Sequence, residues 1–519
     1  MFVWCVSKNQ PVSPSLRPGR GSAAFMRVFG APGYTASVQI VLRDLEPFAI
    51  NGVKVGGLGD NVRWWYNFQE YIVYNDMTPY PDPLSVSYSD DPEGLFNAFD
   101  SAYQPPLAVR PHFSQSVWLS FDISRKAAAG RRRLTATVST DKGDFEAALL
   151  LDVIGAAVPE IKDGAFSVEH FINGFEYSAK PWSEEWWRIW ERYAKSLELL
   201  RNNVLNVNPL TYLLRSGSKR VSEDEWSFVW DDLDRYVSVF MSHGARAVAC
   251  SSLIASVWGK TMSGIGYEGR DTYEIFTEDC EKWVKAFYTA LYAHSREKGW
   301  TLFMRLEDEP HQKEYWLWAR ERVRRYMPGV KCGEPIDTHE IGMELKGECD
   351  QLIPRTNVYT QGKDYYVSRQ REGEECWVYT CCFPEESWFM NRFIDQPFTY
   401  SKLLVWGCHA LGVTGYLHWG YTAWSDTSLY GAGPDARFKG DGFLVYPDKA
   451  HESFRYSTRF FAMRDGICDY ELLRLCPESE ARAITGSVVR GFDDFDASPL
   501  TLDEAESRIF ALAAAAAGQ

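Results

Sequence analysis

The chain has 519 residues, 45% of them hydrophobic, and carries Asp+Glu 70 against Lys+Arg 55, a formal net charge of -15. That length and apolar content bury a large core in two or three domains and exclude intrinsic disorder. The acidity is relieved only by the short run Arg131-Arg132-Arg133, read as a solvated loop, so nucleic acid is excluded as a partner.

The opening Met1-Phe2-Val3-Trp4-Cys5 lacks a basic segment followed by an apolar one, so no signal peptide is visible and a cytoplasmic location is expected. From there to about residue 160 the chain alternates apolar and polar residues, at 36–42, 117–123, 133–138 and 145–153. Gly, Pro and Asp clusters separate these stretches. Period two with such punctuation predicts an antiparallel β-sandwich over residues 1–160.

Beyond residue 161 the period changes. Apolar residues at three- and four-residue spacing predict helices at 186–200, 230–241, 278–298, 315–326 and 400–411. Short apolar runs follow them at 203–207, 245–250, 300–306, 330–335, 350–354, 376–380 and 414–419. About eight strand–helix units in roughly 300 residues predict a (β/α)8 barrel over 161–478, with its active site where the strands end. Residues 441–447 read as a strand or loop and 452–475 as a helix. Residues 479–519 read as a helical appendage ending in an alanine-rich helix at 502–516.

The strand at 301–306 runs into Glu307-Asp308-Glu309-Pro310. Proline ends a strand by removing a ladder donor, and consecutive acids after a buried strand are costly outside a cleft. Asp308 and Glu309 are therefore the candidate catalytic pair: crowding raises at least one pKa, so one carboxyl can donate a proton while the other stays ionised. The competing reading makes Pro310 the first residue of a helix, with the acids complementing its dipole. Glu307 reads as support, with Arg305 as its ion partner.

Other strand ends supply candidate sugar contacts. They are His170 near the first, Asn206 and Asn208 at the second, Trp377 and Tyr379 at the seventh, and Tyr416, His418, Trp419, Tyr421 and Trp424 at the last. Flat aromatic rings stack on apolar sugar faces, and this chain is rich in them, with 20 Trp and 28 Tyr. For each of these residues the alternative is core packing, and for the asparagines a backbone cap. Gly264-Ile265-Gly266-Tyr267-Glu268-Gly269 matches a dinucleotide fingerprint by letter. It neither follows a strand nor opens a helix, so it reads as a flexible loop. No G-x-S-x-G elbow occurs. The 11 cysteines form no C-x-x-C pair, so no metal is expected, and no cofactor either. No apolar run is long enough to span a membrane.

The Asp308-Glu309-Pro310 ending resembles the catalytic strand of glycoside hydrolase family 123 and of the related family of unknown function numbered 4091. Tyr193-Ala194-Lys195 with Arg201-Asn202-Asn203-Val204, and Trp377-Val378-Tyr379-Thr380-Cys381, resemble that family's barrel. Residues 440–447 and 464–473 resemble its closing motifs, and 36–42 followed by Asp82-Pro83-Leu84 its N-terminal domain. The resemblance implies a β-sandwich followed by a (β/α)8 barrel. It also implies an exo-acting, retaining β-N-acetylgalactosaminidase that uses the substrate's own acetamido group as nucleophile. On that analogy Glu309 is the acid/base and Asp308 steadies the acetamido group. The expected partner is an oligosaccharide or glycoconjugate, and a homodimer is allowed. The residues alone leave open a glycosidase for sugars without the acetamido group, or a carbohydrate-binding protein without turnover.

Overall fold

The computed structural model describes residues 1–73, 78–85, 88, 105–173, 179–254, 260–424, 439–448 and 453–518. Residues up to Val153 form two five-stranded sheets. One is ordered Phe2–Ser7, Thr35–Arg43, Gln115–Ile123, Val62–Val73, Pro79–Leu84; the other Phe25–Gly30, Gly143–Val153, Gly130–Thr140, Phe48–Gly56, Leu107–Val109. Leu134, Ala136 and Val138 point inward between more exposed neighbours, the period-two pattern of a half-buried strand. The sheets touch at Gly30, where a Cβ would stand 2.2 Å from Ile123 Cδ1.

Two expectations change here. Phe25–Gly30 runs parallel to Gly143–Val153 while the other pairings are antiparallel. These strands lie far apart in sequence, so no hairpin dictates their direction. The arginine run is not a loop: it begins the strand Gly130–Thr140, where Arg131 Nε meets Asp152 Oδ1 at 2.6 Å.

From Ser167 onward helices alternate with short parallel strands. Ser183 accepts a hydrogen bond from the Trp186 amide and starts the helix Glu184–Leu200, whose apolar stripe is buried from Trp186 to Leu200. The nine parallel segments are ordered Glu375–Cys376, Gln351–Pro354, Lys331–Ile336, Leu302–Met304, Ala247–Cys250, Val204–Val207, Ser167–His170, Gly415–His418, Val378–Thr380. The first and last are separated in the chain only by Trp377, so the ring of pairings is nearly closed. Trp377 fills the ring's interior with Val204, Ala247, Ala249, Ile353, Tyr379 and Leu417. Its indole lies so close to Gly415 that a Cβ there would be 2.5 Å away.

The glycine-rich stretch is not a loose loop. Gly264 and Ile265 belong to Thr261–Ile265, which pairs antiparallel with Arg270–Glu274, and the Gly266 amide donates to Gly269 O at 2.7 Å. The predicted helix at 452–475 divides: Ser453–Tyr456 pairs with Val445–Asp448, and the helix proper is Thr458–Arg474. A helical C-terminal region follows, with helices Glu478–Val488 and Pro499–Ala516. Among the described residues no helix is long and apolar enough to cross a membrane.

Buried ion pairs tie the sheets to the ring. Arg459 donates to Asp82 through Nε at 2.7 Å and Nη2 at 3.0 Å, with both side chains 1% exposed. Lys8 reaches Asp465 at 2.6 Å and Glu506 at 2.7 Å. Removing one partner of such a pair strands the other's charge. Arg459→Met should therefore lower unfolding stability by about 3–5 kcal/mol, read as a reduced denaturant midpoint. An unchanged midpoint would mean the pair contributes nothing net.

Candidate active site

The strand Leu302–Met304 delivers Arg305 to Glu309 to one end of the ring. The following helix starts only at Lys313, with Gln312 as its cap. Pro310 is thus not its first residue, and the acids do not serve as its N-terminal charges. Glu309 has φ 50°, a left-handed backbone that costs a bulky residue about 1–3 kcal/mol and is found where a site requires it. That turn interrupts the strict alternation of a strand, which would send Asp308 and Glu309 to opposite faces.

Asp308 borders a cavity of about 330 Å³ together with Phe171, Asn206, Ser251, Ser263 and Glu334. Its carboxyl opens to the cavity, yet protein surrounds it on the remaining sides. That enclosure, with the charges of Glu309 and Asp337, lifts its pKa to about 6. Glu309 Oε1 accepts a short hydrogen bond from the Tyr379 hydroxyl. Glu307 is 2% exposed, its Oε2 has no hydrogen-bond partner among the described residues, and burial pushes it up to about 7.

Arg305 does not pair with Glu307. Its Nη2 meets Glu169 Oε2 at 2.5 Å, and its Nη1 donates to Gln351 Oε1 at 2.9 Å and Gly333 O at 3.1 Å. Glu169 Oε1 accepts from Asn206 Nδ2 at 2.9 Å, and Asn206 Oδ1 accepts from Ser251 Oγ at 2.7 Å. This chain of hydrogen bonds fixes the cavity floor and orients Asn206 beside Asp308. Glu334, fully buried in the neighbouring strand, accepts a short bond from the Leu306 amide, and burial holds its pKa well above the usual range.

The other candidates divide by burial. Asn208 caps the helix Pro209–Arg215 by accepting from the Leu210 amide. His170 and His418 are enclosed, and Arg392 lies between them. His170 Nε2 accepts from Arg392 Nη1 at 2.9 Å while Nδ1 donates to Asn202 Oδ1 at 3.1 Å. His418 Nδ1 accepts from Arg392 Nη2 at 2.5 Å, so Nε2 carries the proton and donates to Asp441 Oδ1 at 3.0 Å. Burial and the Arg392 charge depress both histidines, His418 to about 4. Neither has a nitrogen left for a sugar.

Tyr416 bonds Thr380 Oγ1 at 2.6 Å and Tyr421 bonds Ser196, both fully enclosed. Trp424 donates to Val445 O at 2.9 Å and Trp377 to Glu375 Oε1 at 2.9 Å, likewise buried. These rings pack the wall and interior rather than the cavity. Trp419 is half-buried and donates to Asp441 Oδ2 at 2.7 Å. Of the predicted set, the structure brings Asp308, Glu309, Asn206 and Tyr379 together.

Sequence reasoning missed Glu169, Arg305 as floor residues, Arg392, and the pair Asp337 and Arg355. Asp337 is an isolated acid just beyond the strand Lys331–Ile336, a position that its strand-end location marks. Among the described residues no cluster of three His, Cys, Asp or Glu side chains has the arrangement of a metal site.

A model of the glycoside hydrolase 123 catalytic domain matches residues 175–476. A search of curated proteins finds no match. Among solved structures, a family 123 glycoside hydrolase from Clostridium perfringens, studied for glycolipid glycan hydrolysis, aligns over 100% of this chain and 98% of its own. Its TM-score is 0.73 at 14% identity. At that identity the likeness speaks to the fold. Two others are too distant to carry an argument. A β-galactosidase from the psychrophilic Marinomonas ef1 aligns with 61% of this chain and 62% of its own at 8% identity and TM-score 0.37. A GH10 xylanase with a bacterial Ig-like domain, from termite gut, aligns with 86% and 100% at 10% identity and TM-score 0.35.

Proposed function

The chain belongs to glycoside hydrolase family 123 and is a glycosidase, and on that premise we propose that it removes a terminal β-linked 2-acetamido sugar, N-acetylgalactosamine, with retention. The ring then counts as an eight-stranded β/α barrel, residues 375–380 forming one strand around Trp377. The observation that carries the reading is the adjacency of Asp308 and Glu309 at one strand end, turned by the left-handed Glu309. That suits a reaction whose nucleophile comes from the substrate rather than from a second carboxylate across the ring.

In this mechanism the acetamido carbonyl oxygen attacks C1 as the C1–O bond to the aglycone breaks. Glu309 gives its proton to the departing oxygen. Asp308 accepts a hydrogen bond from the acetamido N–H and balances the positive charge of the oxazolinium. Water then adds to C1, Glu309 takes its proton, and the acetamide is restored. Tyr379 orients the Glu309 carboxyl throughout. A glycolipid or other glycoconjugate is a natural carrier of such a terminal sugar.

Asp308 acts ionised, and enclosure lifts it to about 6. Its carboxylate is lost as pH falls through that value. The profile of kcat/KM should accordingly show an acidic limb near 6, measured with an aryl β-N-acetylgalactosaminide. A profile flat down to about pH 4 would remove Asp308 from the role.

A second reading, hydrolysis of a sugar lacking the acetamido group, is favoured by Asp337, a further carboxylate whose charge Asp308 feels. Aryl glycosides with and without the acetamido group, tested with a thiazoline analogue of the oxazoline, decide between the two. Cleavage confined to the acetamido sugar, with thiazoline inhibition, supports the first reading. Cleavage of the plain glycoside without thiazoline inhibition overturns it.

A further inference from the structure

Two polar groups beside the acid pair are left with unused hydrogen-bonding capacity. Asp337 follows the strand Lys331–Ile336, and its Oδ1 is buried with no hydrogen-bond partner among the described residues. Arg355 follows the next strand, Gln351–Pro354, and its backbone bridges to Tyr379. The Arg355 guanidinium is held on three sides. Nε donates to Asn357 Oδ1 at 2.8 Å, Nη2 donates to Asp337 O at 3.2 Å, and the plane lies 5.4 Å from the Phe383 ring centroid. These contacts fix its position and leave Nη1 without a protein acceptor among the described residues.

Both groups stand at strand ends beside the acid pair: Arg355 bridges by its backbone to Tyr379, whose hydroxyl bonds Glu309, and Asp337 follows the strand paired with the one that carries Asp308. The Asp337 charge acts on Asp308, and the Arg355 charge acts on Tyr379 and Glu309. They feel each other's charge, but among the described residues the hydrogen bond between them runs from Arg355 to the backbone oxygen of Asp337 and not to its carboxylate. A buried carboxylate oxygen with no partner is costly, and it shows that the protein leaves the Asp337 carboxylate uncommitted at this strand end. The fixed guanidinium loses little freedom when it gains an acceptor.

A carboxylate acceptor and a fixed guanidinium donor side by side match a sugar hydroxyl, which donates one hydrogen bond and accepts others. We propose that Asp337 and Arg355 form a clamp for one ring hydroxyl of the terminal sugar, the Asp337 carboxylate accepting from it and Arg355 Nη1 donating to it. The clamp rests on the proposed glycosidase reading and names the groups that select the sugar within it. It gives the barrel a sugar contact at the ends of the fifth and sixth strands, whereas the acid pair comes from the fourth. Specificity and chemistry then reside on separate strands, and one can vary without the other. A site built to bond a hydroxyl discriminates strongly against an analogue lacking it, because its own polar groups are left unpaired.

The test is kcat/KM for 4-nitrophenyl β-N-acetylgalactosaminide and its 3-, 4- and 6-deoxy analogues, measured with wild type, Asp337→Asn and Arg355→Met. Each substitution should cost roughly 10- to 100-fold on the parent sugar. On one deoxy analogue, the one missing the clamped hydroxyl, the same substitution should cost less than about 5-fold, because no bond remains to lose. Wild type should itself discriminate against that analogue. If both variants lose the same factor on all four sugars, or lose nothing, the clamp is wrong while the glycosidase reading stands. If Asp337→Asn abolishes turnover of every sugar and Arg355→Met does not, Asp337 is part of the chemistry and the clamp is wrong. If wild type cleaves none of the acetamido sugars, the reading on which the clamp rests fails, and the clamp with it.

Discussion

Glu309→Gln is expected to lower kcat/KM by about 10²–10⁴-fold, the range for a lost general acid. The loss should depend on the leaving group. A nitrophenolate departs without much help, whereas a sugar alkoxide must be protonated as its bond breaks. The drop should therefore be near the low end for 4-nitrophenyl glycosides and near the high end for a disaccharide. The glutamine keeps the size of Glu309 and an oxygen that can accept from the Tyr379 hydroxyl, so folding should be spared and a normal unfolding transition should accompany the inactive variant. Equal losses on both substrates would remove Glu309 from the role of proton donor.

Asp308→Asn is expected to cost about 10²–10³-fold in kcat with a smaller change in KM, the pattern of an interaction strengthened as charge develops. On the substrate-assisted reading Asp308 meets a neutral amide in the ground state and a cationic one in the transition state. The substitution should also weaken binding of a thiazoline inhibitor in its protonated form, and it should remove the acidic limb near 6. Near-normal rates in Asp308→Asn would end the substrate-assisted mechanism, leaving the plain glycosidase reading.

What was legible in the sequence followed from local periodicity. The helix Glu278–Lys298 falls at its predicted bounds because Thr277 caps it and Gly299 stops it, both signals lying within the segment itself. The acid cluster was legible for the same reason: proline and three acids interrupt one strand. Long-range partners were not. Arg305 was matched with its sequence neighbour Glu307, whereas the structure gives it Glu169, which arrives from the first strand of the ring. No pattern along the chain records such a meeting. Arg392 is similar, since its value lies in two histidines delivered by the first and last strands. The split at Ser453–Tyr456 was masked by apolar spacing that fits either a strand or a helix over so few residues.

The aromatic residues show a second limit. Trp377, Tyr416, Tyr421 and Trp424 lie near strand ends, which suggests the mouth, but they are buried in the wall and interior. Strand position fixes which end of the barrel a residue occupies. It does not fix whether the side chain points inward, outward or into the cavity, which depends on register with neighbours far away.

Glu307, Asp308, Glu309, Glu334 and Asp337 gather on one side of the ring, while Arg305 is already committed to Glu169. Glu307 and Glu334 are buried there and burial favours their uncharged forms, so the negative charge that Asp308 feels comes from Glu309 and Asp337. On the substrate-assisted reading that charge is in position before any positive charge appears on the sugar, and nothing has to rearrange to meet it.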